Sequence, residues 1–155
     1  MIELPDNYVF NFRKAVGKDC NLLYDWVNDE SVRSNSINNE IIEWEGHQKW
    51  FTSKITNSAT KIYILEYNTI PVGQIRIEKE LINWIISYSI DNNYRGKGLG
   101  KKIVQLLLFK HPNFKFTAIV KNENISSIKI FKTLGFKIDQ KSDDFITKFY
   151  YSKAI

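Results

Sequence analysis

The chain has 155 residues, of which 43% are hydrophobic, 14% aromatic and 25% charged. That composition supplies one domain with its own core and excludes a disordered, collagen-like or low-complexity chain. Twenty-two basic residues against 17 acidic ones leave a net charge of +5, which favours encounters with anions without choosing among them.

Tyr8 to Arg13 is rich in β-formers and predicts a first strand. Gly17-Lys18-Asp19 breaks it. Leu22, Leu23, Trp26 and Val27 fall at helical spacing, so Cys20 to about Asn28 is a short amphipathic helix. Ser31 to Asn39 is polar, rich in Asn and Ser, and reads as a loop or a ragged second turn. From about Glu43, Trp44, His47, Trp50, Phe51 and Ile55 recur every three or four residues and make a second helix. The period then changes. Lys61–Tyr67 and Val72–Ile77 are strands of a hairpin, joined by the turn Asn68-Thr69-Ile70-Pro71. Trp84–Ile90 has the half-continuous apolar run of a central strand. Leu99 to Lys110 is a helix with Leu99, Ile103, Leu106 and Leu107 on one face. Phe116–Val120 is a short strand. Asn124 to Leu134 is a helix with Ile125, Ile128 and Phe131 inward, ended by Gly135. Phe136–Ile138 and Phe145–Tyr151 close the chain as strands.

Strand–helix–strand units beside hairpins predict a mixed sheet with helices on both faces, an α/β (α+β) class in a single domain over residues 1–155. Cys20 is the lone cysteine, so no intrachain disulfide is expected. With only His47 and His111 beside it, no Cys/His metal site is expected either. The lysines are scattered singly, which argues against a nucleic-acid stripe. No apolar run is long enough for a transmembrane helix, and the opening residues lack a signal-peptide pattern, so a cytoplasmic location without membrane contact is expected.

The segment richest in chemistry is Ile90-Asp91-Asn92-Asn93-Tyr94-Arg95-Gly96-Lys97-Gly98-Leu99-Gly100-Lys101. A strand ends, three glycines alternate, and an amphipathic helix begins. Glycines let successive amides turn toward one point, and the helix start adds partial positive charge. The result is an anion site suited to a pyrophosphate. It is not a Walker A loop, because Ile103 follows Lys102 where that motif ends in Lys-Ser/Thr. It is not a dinucleotide fingerprint, because Lys101 stands where the third glycine belongs. It fits Arg-x-x-Gly-x-Gly as Arg95, Gly98 and Gly100. A plain glycine-rich turn capping a helix is the other reading of the loop alone.

The second half carries Asn124-x-x-Ser127-Ile128-x-x-Phe131-x-x-Leu134-Gly135-Phe136, roughly 25 residues beyond the loop. Together the two segments resemble the acetyl-CoA motifs of the GCN5-related N-acetyltransferase (GNAT) superfamily. Trp26-x-Asn28-Asp29-x-x-Val32-Arg33-x-x-Ser36, His47-x-x-Trp50-Phe51 and Val72-Gly73-Gln74-Ile75-Arg76 extend the match over nearly the whole chain. That combination is similar to the branch that acetylates the 4-amine of UDP-linked amino-dideoxy sugars in pseudaminic-acid pathways.

The resemblance implies a sheet of six to seven strands with about four helices, whose two central parallel strands splay around the pantetheine arm of acetyl-CoA. Those strands would end at Ile90 and Val120. The backbone of Ile90 and Asp91 would pair with pantetheine, and an amide near Ser89–Ile90 would stabilise the oxyanion. Arg95, Gly96, Lys97, Gly98, Gly100 and Lys101 would hold the pyrophosphate, and Asn124 would bind the cofactor from the second motif. The cosubstrate is acetyl-CoA, with no metal. Many members have Tyr at the position of Phe131, where its hydroxyl protonates the leaving thiolate; Phe131 cannot, which leaves Tyr94 and Tyr88 as candidates, or a thiolate that departs with the help of solvent. Candidates for the base are His47, Glu78, and Ser87 or Ser89 with water. Arg33, Ser36, Trp50 and Arg76 would contact the acceptor, the arginines by pairing with phosphates. The expected partner is a small-molecule amine, specifically a nucleotide-sugar; a homodimer stays open. Two further readings stand beside this one: an acetyltransferase for protein N-termini of the ribosomal-protein type, and a non-catalytic acyl-CoA-binding module.

Overall fold

A computed structural model describes residues 9–153; Tyr8 and the opening segment lie outside the described residues. In chain order the elements are β1 (Phe10–Lys14), α1 (Cys20–Val27), α2 (Glu30–Asn35), α3 (Trp44–Ile55), β2 (Thr60–Tyr67), β3 (Ile70–Glu80), β4 (Asn83–Ile90), α4 (Leu99–Lys110), β5 (Lys115–Lys121), α5 (Ile125–Thr133), β6 (Lys137–Ile138) and β7 (Ile146–Tyr151). Short 3-10 turns stand at Gly17–Asp19 and Asn92–Tyr94. The strands form one mixed sheet in the order β1-β2-β3-β4-β5-β7-β6. Every neighbouring pair is antiparallel except β4 and β5. This is the α/β class expected, with seven strands.

Helices cover both faces because each carries one apolar stripe. On one face α4 and α5 bury Ile103, Leu107 and Phe131 against Ile75, Ile77, Ile86, Phe116 and Phe149. On the other, α1 and α3 pack Leu23, Trp26 and Phe51 onto Ile62 and Ile64 of β2. Gly73 lies where β3 and β4 approach closely: a Cβ there would stand 2.7 Å from Ile90 Cδ1. No helix among the described residues is long and apolar enough to cross a membrane.

The structure departs from the sequence reading in three places. Glu30–Asn35, overlapping the segment expected as a loop or ragged turn, forms α2, which makes five α-helices among the described residues where about four were expected. Asp29 starts it, its carboxylate accepting from the amides of Ser31 and Val32. The expected four-residue hairpin turn contracts to Asn68 and Thr69, both at positive φ, because β3 already begins at Ile70. Ile125, expected inward, is 69% exposed at the first position of α5. The end of α5 matches the expectation: Gly135 has φ 90°, with Phe136 N donating to Phe131 O at 3.0 Å and Gly135 N to Lys132 O at 3.1 Å.

Candidate active site

β4 and β5 pair only from Asn83, Trp84 and Ile85 to Lys115, Phe116 and Thr117. Beyond that point β4 continues beside β3 as far as Ile90, and β5 beside β7 as far as Lys121. The two parallel strands part, and a cleft of about 1080 Å³ opens between and above them. Asp91 N donates to Val72 O of β3 at 2.8 Å. Strand amides alternate sides, so those of Ile90 and Tyr88 face the gap. That corrects the expectation for Asp91, whose amide is spent on β3, and for Ser89, whose amide turns the same way. Ile90 keeps its amide toward the gap while its carbonyl accepts from Arg95 Nε at 3.0 Å.

The loop after β4 is held rigid by its own side chains. The Asp91 carboxylate accepts from Asn93 N at 2.9 Å and from Trp26 Nε1 of α1 at 2.8 Å. Arg95 reaches Asn92 Oδ1 at 3.2 Å and Asp29 Oδ1 at 2.9 Å. Its guanidinium therefore bolts the loop to α2, while its main chain stays in the loop. Burial pushes the Asp29 carboxyl up, but bonds from Ser31, Arg95 and Val32 together outweigh that and hold it below the usual range. Gly96 and Gly98 sit at φ 75° and 77°, in the left-handed region that other residues resist. Lys102 N makes the first intrahelical bond, to Gly98 O at 3.1 Å. The amides of Leu99, Gly100 and Lys101 thus have no partner within α4 and form its positive end. Gly100 has a packing role: a Cβ would lie 3.0 Å from Ile130 Cδ1 and 3.3 Å from Tyr88 Cε2. Lys101 lines the cleft, and Lys97 lies half-buried in the loop. Asn124 lines the opposite bank; its Oδ1 caps α5 by accepting from Ser127 N at 3.3 Å, so its amide NH2 is the part left to meet a ligand.

The remaining wall comes from α1, α2, α3 and β3. Arg76 stacks on Trp50, with Cζ 4.9 Å from the ring centroid, and pairs with Glu78 at 3.4 Å. Burial lowers its pKa, Glu78 opposes that, and the nearby charge of Arg33 lowers it further. Two guanidinium groups thus feel one another across this wall, and no Asp or Glu is among the residues lining the cleft. Arg33, expected to grip acceptor phosphates, is otherwise engaged. Its Nε donates to Val27 O at 2.6 Å, and its other nitrogens to Asn38 O, Glu40 O and Ser36 Oγ. It organises the loop over residues 36–42, which Asn28 also clamps at both the amide and the carbonyl of Ile42. Ser36, expected at the acceptor, donates to Val32 O at 2.6 Å and accepts from Arg33. Arg33 is drawn inward by loop carbonyls that need donors, those of Asn38 and Glu40, and Ser36 by the Val32 carbonyl at the end of α2.

His47 is 3% exposed among Tyr24, Trp44, Trp50 and Phe51. Its Nε2 lies 2.9 Å from Cys20 O. A carbonyl only accepts, so Nε2 carries the hydrogen and the lone pair stands on Nδ1. Ser89 accepts from Gln74 Nε2 at 3.1 Å on the same wall. Tyr94 lines the mouth, its ring edge-on to Tyr67. Glu78 lies outside the lining, tied to Arg76 and Lys54. Sequence reasoning missed the bond of Gln74 to Ser89 on the cleft wall and the bond of Trp26 to Asp91. Both rest on pairs far apart in the chain, for which local spacing gives no signal.

Comparison with known proteins places this geometry among relatives. A model of the acetyltransferase (GNAT) family matches residues 21–136. An uncharacterized protein of Methanocaldococcus jannaschii is 30% identical over 152 residues, covering 86% of this chain and 31% of that protein; the chain thus spans about a third of the curated relative's length. The crystal structure of a domain from the same organism superimposes with a TM-score of 0.77 at 25% identity, covering 94% of this chain and all of that one. Spermidine N-acetyltransferase from Vibrio cholerae, solved with CoA and spermine, shares the fold with a TM-score of 0.82 at 14% identity, over 92% and 94% of the two chains.

Proposed function

This chain belongs to the acetyltransferase (GNAT) family, and from that premise we propose that it transfers an acetyl group from acetyl-CoA to the primary amine of an anionic small molecule, the 4-amine of a UDP-linked amino-dideoxy sugar. The cofactor half follows from main chain. Pantetheine lies in the gap between β4 and β5, where the Ile90 amide is turned to meet the thioester carbonyl. The pyrophosphate sits on the amides that lead into α4, beside Lys101.

One observation carries the acceptor class: its wall of the cleft presents Arg33 and Arg76, and no carboxylate among the described residues lines the cleft. A polyamine needs acidic walls, and this wall repels it. A diphosphate is matched by Arg76, with the Trp50 ring beside it on the wall for a base or sugar ring. The attacking amine must be neutral. His47 takes its proton at Nδ1, the ring position that holds the lone pair while Nε2–H donates to Cys20 O. Nitrogen then attacks the thioester carbon, held mainly by positioning.

The test is CoA release with three amines: a UDP-linked 4-amino sugar, spermidine, and a peptide with a free N-terminus. The sugar nucleotide is expected to give the highest kcat/KM. A preference for spermidine overturns the acceptor assignment, and CoA binding without turnover of any amine overturns the activity.

A further inference from the structure

The leaving side of the reaction needs its own chemistry, because a thiolate expelled into a buried cleft must be protonated there. Phe131, which packs edge-on to Tyr88 with centroids 6.0 Å apart, has no proton to give. Resting on the acetyl-transfer reading above, we propose that Tyr88, hydrogen-bonded to Ser127, is the proton donor to the departing sulfur.

The geometry is specific to the gap. Tyr88 stands on β4 three residues past Ile85, the last residue paired with β5. Its hydroxyl lies 2.6 Å from Ser127 Oγ on α5. The side chain therefore crosses the opening that the parting strands create, and a thioester arm laid between β4 and β5 runs along it. Ser127 is 8% exposed, one helical turn from Asn124 and one from Phe131. Gly100 keeps α4 close enough to press on the Tyr88 ring, fixing where the hydroxyl points. Of the other hydroxyls on this strand, Ser89 accepts from Gln74 on the acceptor wall, and Ser87 is exposed. Burial raises the Tyr88 pKa above the usual tyrosine value and outweighs the opposing bond from Ser127, so the phenol keeps its proton until a basic sulfur appears.

The step balances. The amine nitrogen, made neutral by loss of one proton to His47, forms the C–N bond, and as the tetrahedral intermediate collapses it gives up its second proton to water. The C–S electron pair goes to sulfur, sulfur takes the Tyr88 proton, and the phenolate regains one from Ser127, which is resupplied by solvent. The products are the acetamide and the free thiol of CoA.

Tyr88→Phe separates this role from binding and from folding. With acetyl-CoA and an accepted amine, kcat is expected to fall roughly 100-fold, while the Kd for CoA by calorimetry stays within about twofold. With the selenoester analogue of acetyl-CoA, whose selenolate leaves without a proton, the variant is expected to regain nearly wild-type turnover. Ser127→Ala is expected to lower kcat by a smaller factor with the same recovery. Unchanged kcat, a loss of CoA affinity matching the loss of rate, or an equal defect on the selenoester overturns the proposal while leaving the acetyltransferase reading intact. No turnover by the wild-type chain with any amine overturns both.

Discussion

The half of the cleft between β4, β5 and the start of α4 presents main chain, whereas the half under α1, α2 and α3 presents side chains that first hold one another. In the first half, two glycines at positive φ and the parting of two strands aim amides into open space. In the second, Arg33 spends its donors on four oxygens of its own neighbourhood, and Asn28 clamps Ile42. The halves meet at Trp26–Asp91, Arg95–Asp29 and Lys121–Ser34. A backbone site is robust to most substitutions and fragile at its glycines. A side-chain site is tuned by many residues, each with a modest share.

The largest expected effect therefore falls on a glycine. A Cβ at Gly98 would meet nothing within 4 Å, yet φ is +77°. Gly98→Val is strained by conformation alone, by about 1–2 kcal/mol, and relieves that strain by redirecting the loop. The Kd for CoA is expected to rise at least about 100-fold, with a circular-dichroism spectrum like that of the parent. An unchanged Kd would remove the loop from the cofactor site. Gly73→Ala makes the contrast, because its Cβ would stand 2.7 Å from Ile90 Cδ1 and 3.0 Å from Ser89 O, so its effect is expected in the melting temperature.

That asymmetry also explains what the sequence discloses. The loop, α4 and the end of α5 are local: a strand end, alternating glycines, an apolar stripe and a glycine after the cap lie within a few residues of one another. α2 is local too, but its signal is weak, since Ser31, Ser34 and Asn35 mask a cap supplied by Asp29. The role of Arg33 depends on where the carbonyls of Asn38 and Glu40 fall, which spacing does not reveal. Tyr88 and Ser127 meet across 39 positions, and His47 and Cys20 across 27. Residue type nominated some of these partners; only the fold joins them.

On the side-chain half the effects should be smaller and confined to the acceptor. Arg76→Ala removes the guanidinium stacked on Trp50. Loss of a charged hydrogen bond, about 1.5–3 kcal/mol, predicts an acceptor KM roughly 10- to 100-fold higher, with the Kd for CoA unchanged. A CoA defect would move Arg76 to the other half. Arg33→Ala is expected to raise the acceptor KM by less, and to expose residues 36–42 to limited proteolysis. Arg33→Lys should fail to restore protection, because an ammonium cannot reach several carbonyls at once. Restoration by Lys would mean that charge, rather than the fork, is what the loop needs.

The smallest effect concerns how the side-chain half is anchored to the sheet. Asp19, at the entry to α1, accepts both guanidinium nitrogens of Arg13 at 2.8 and 2.9 Å, and Val16 N at 2.7 Å. The Arg13 bond is the main cause that holds its carboxyl below the usual range, against burial, which raises it. A carboxyl more acidic when folded binds fewer protons in the folded state than in the unfolded one. Its stabilisation is complete above the unfolded pKa, near 4, and is lost as pH falls through the lower folded value. Asp19→Asn is expected to melt lower than the parent at pH 7 and to lose less on acidification below about pH 4. Asp29 and Asp143 shift in the same direction, so the slope flattens without vanishing. Parallel curves for parent and variant, by thermal denaturation at several pH values, would show that the Arg13–Asp19 pair does not couple α1 to the sheet.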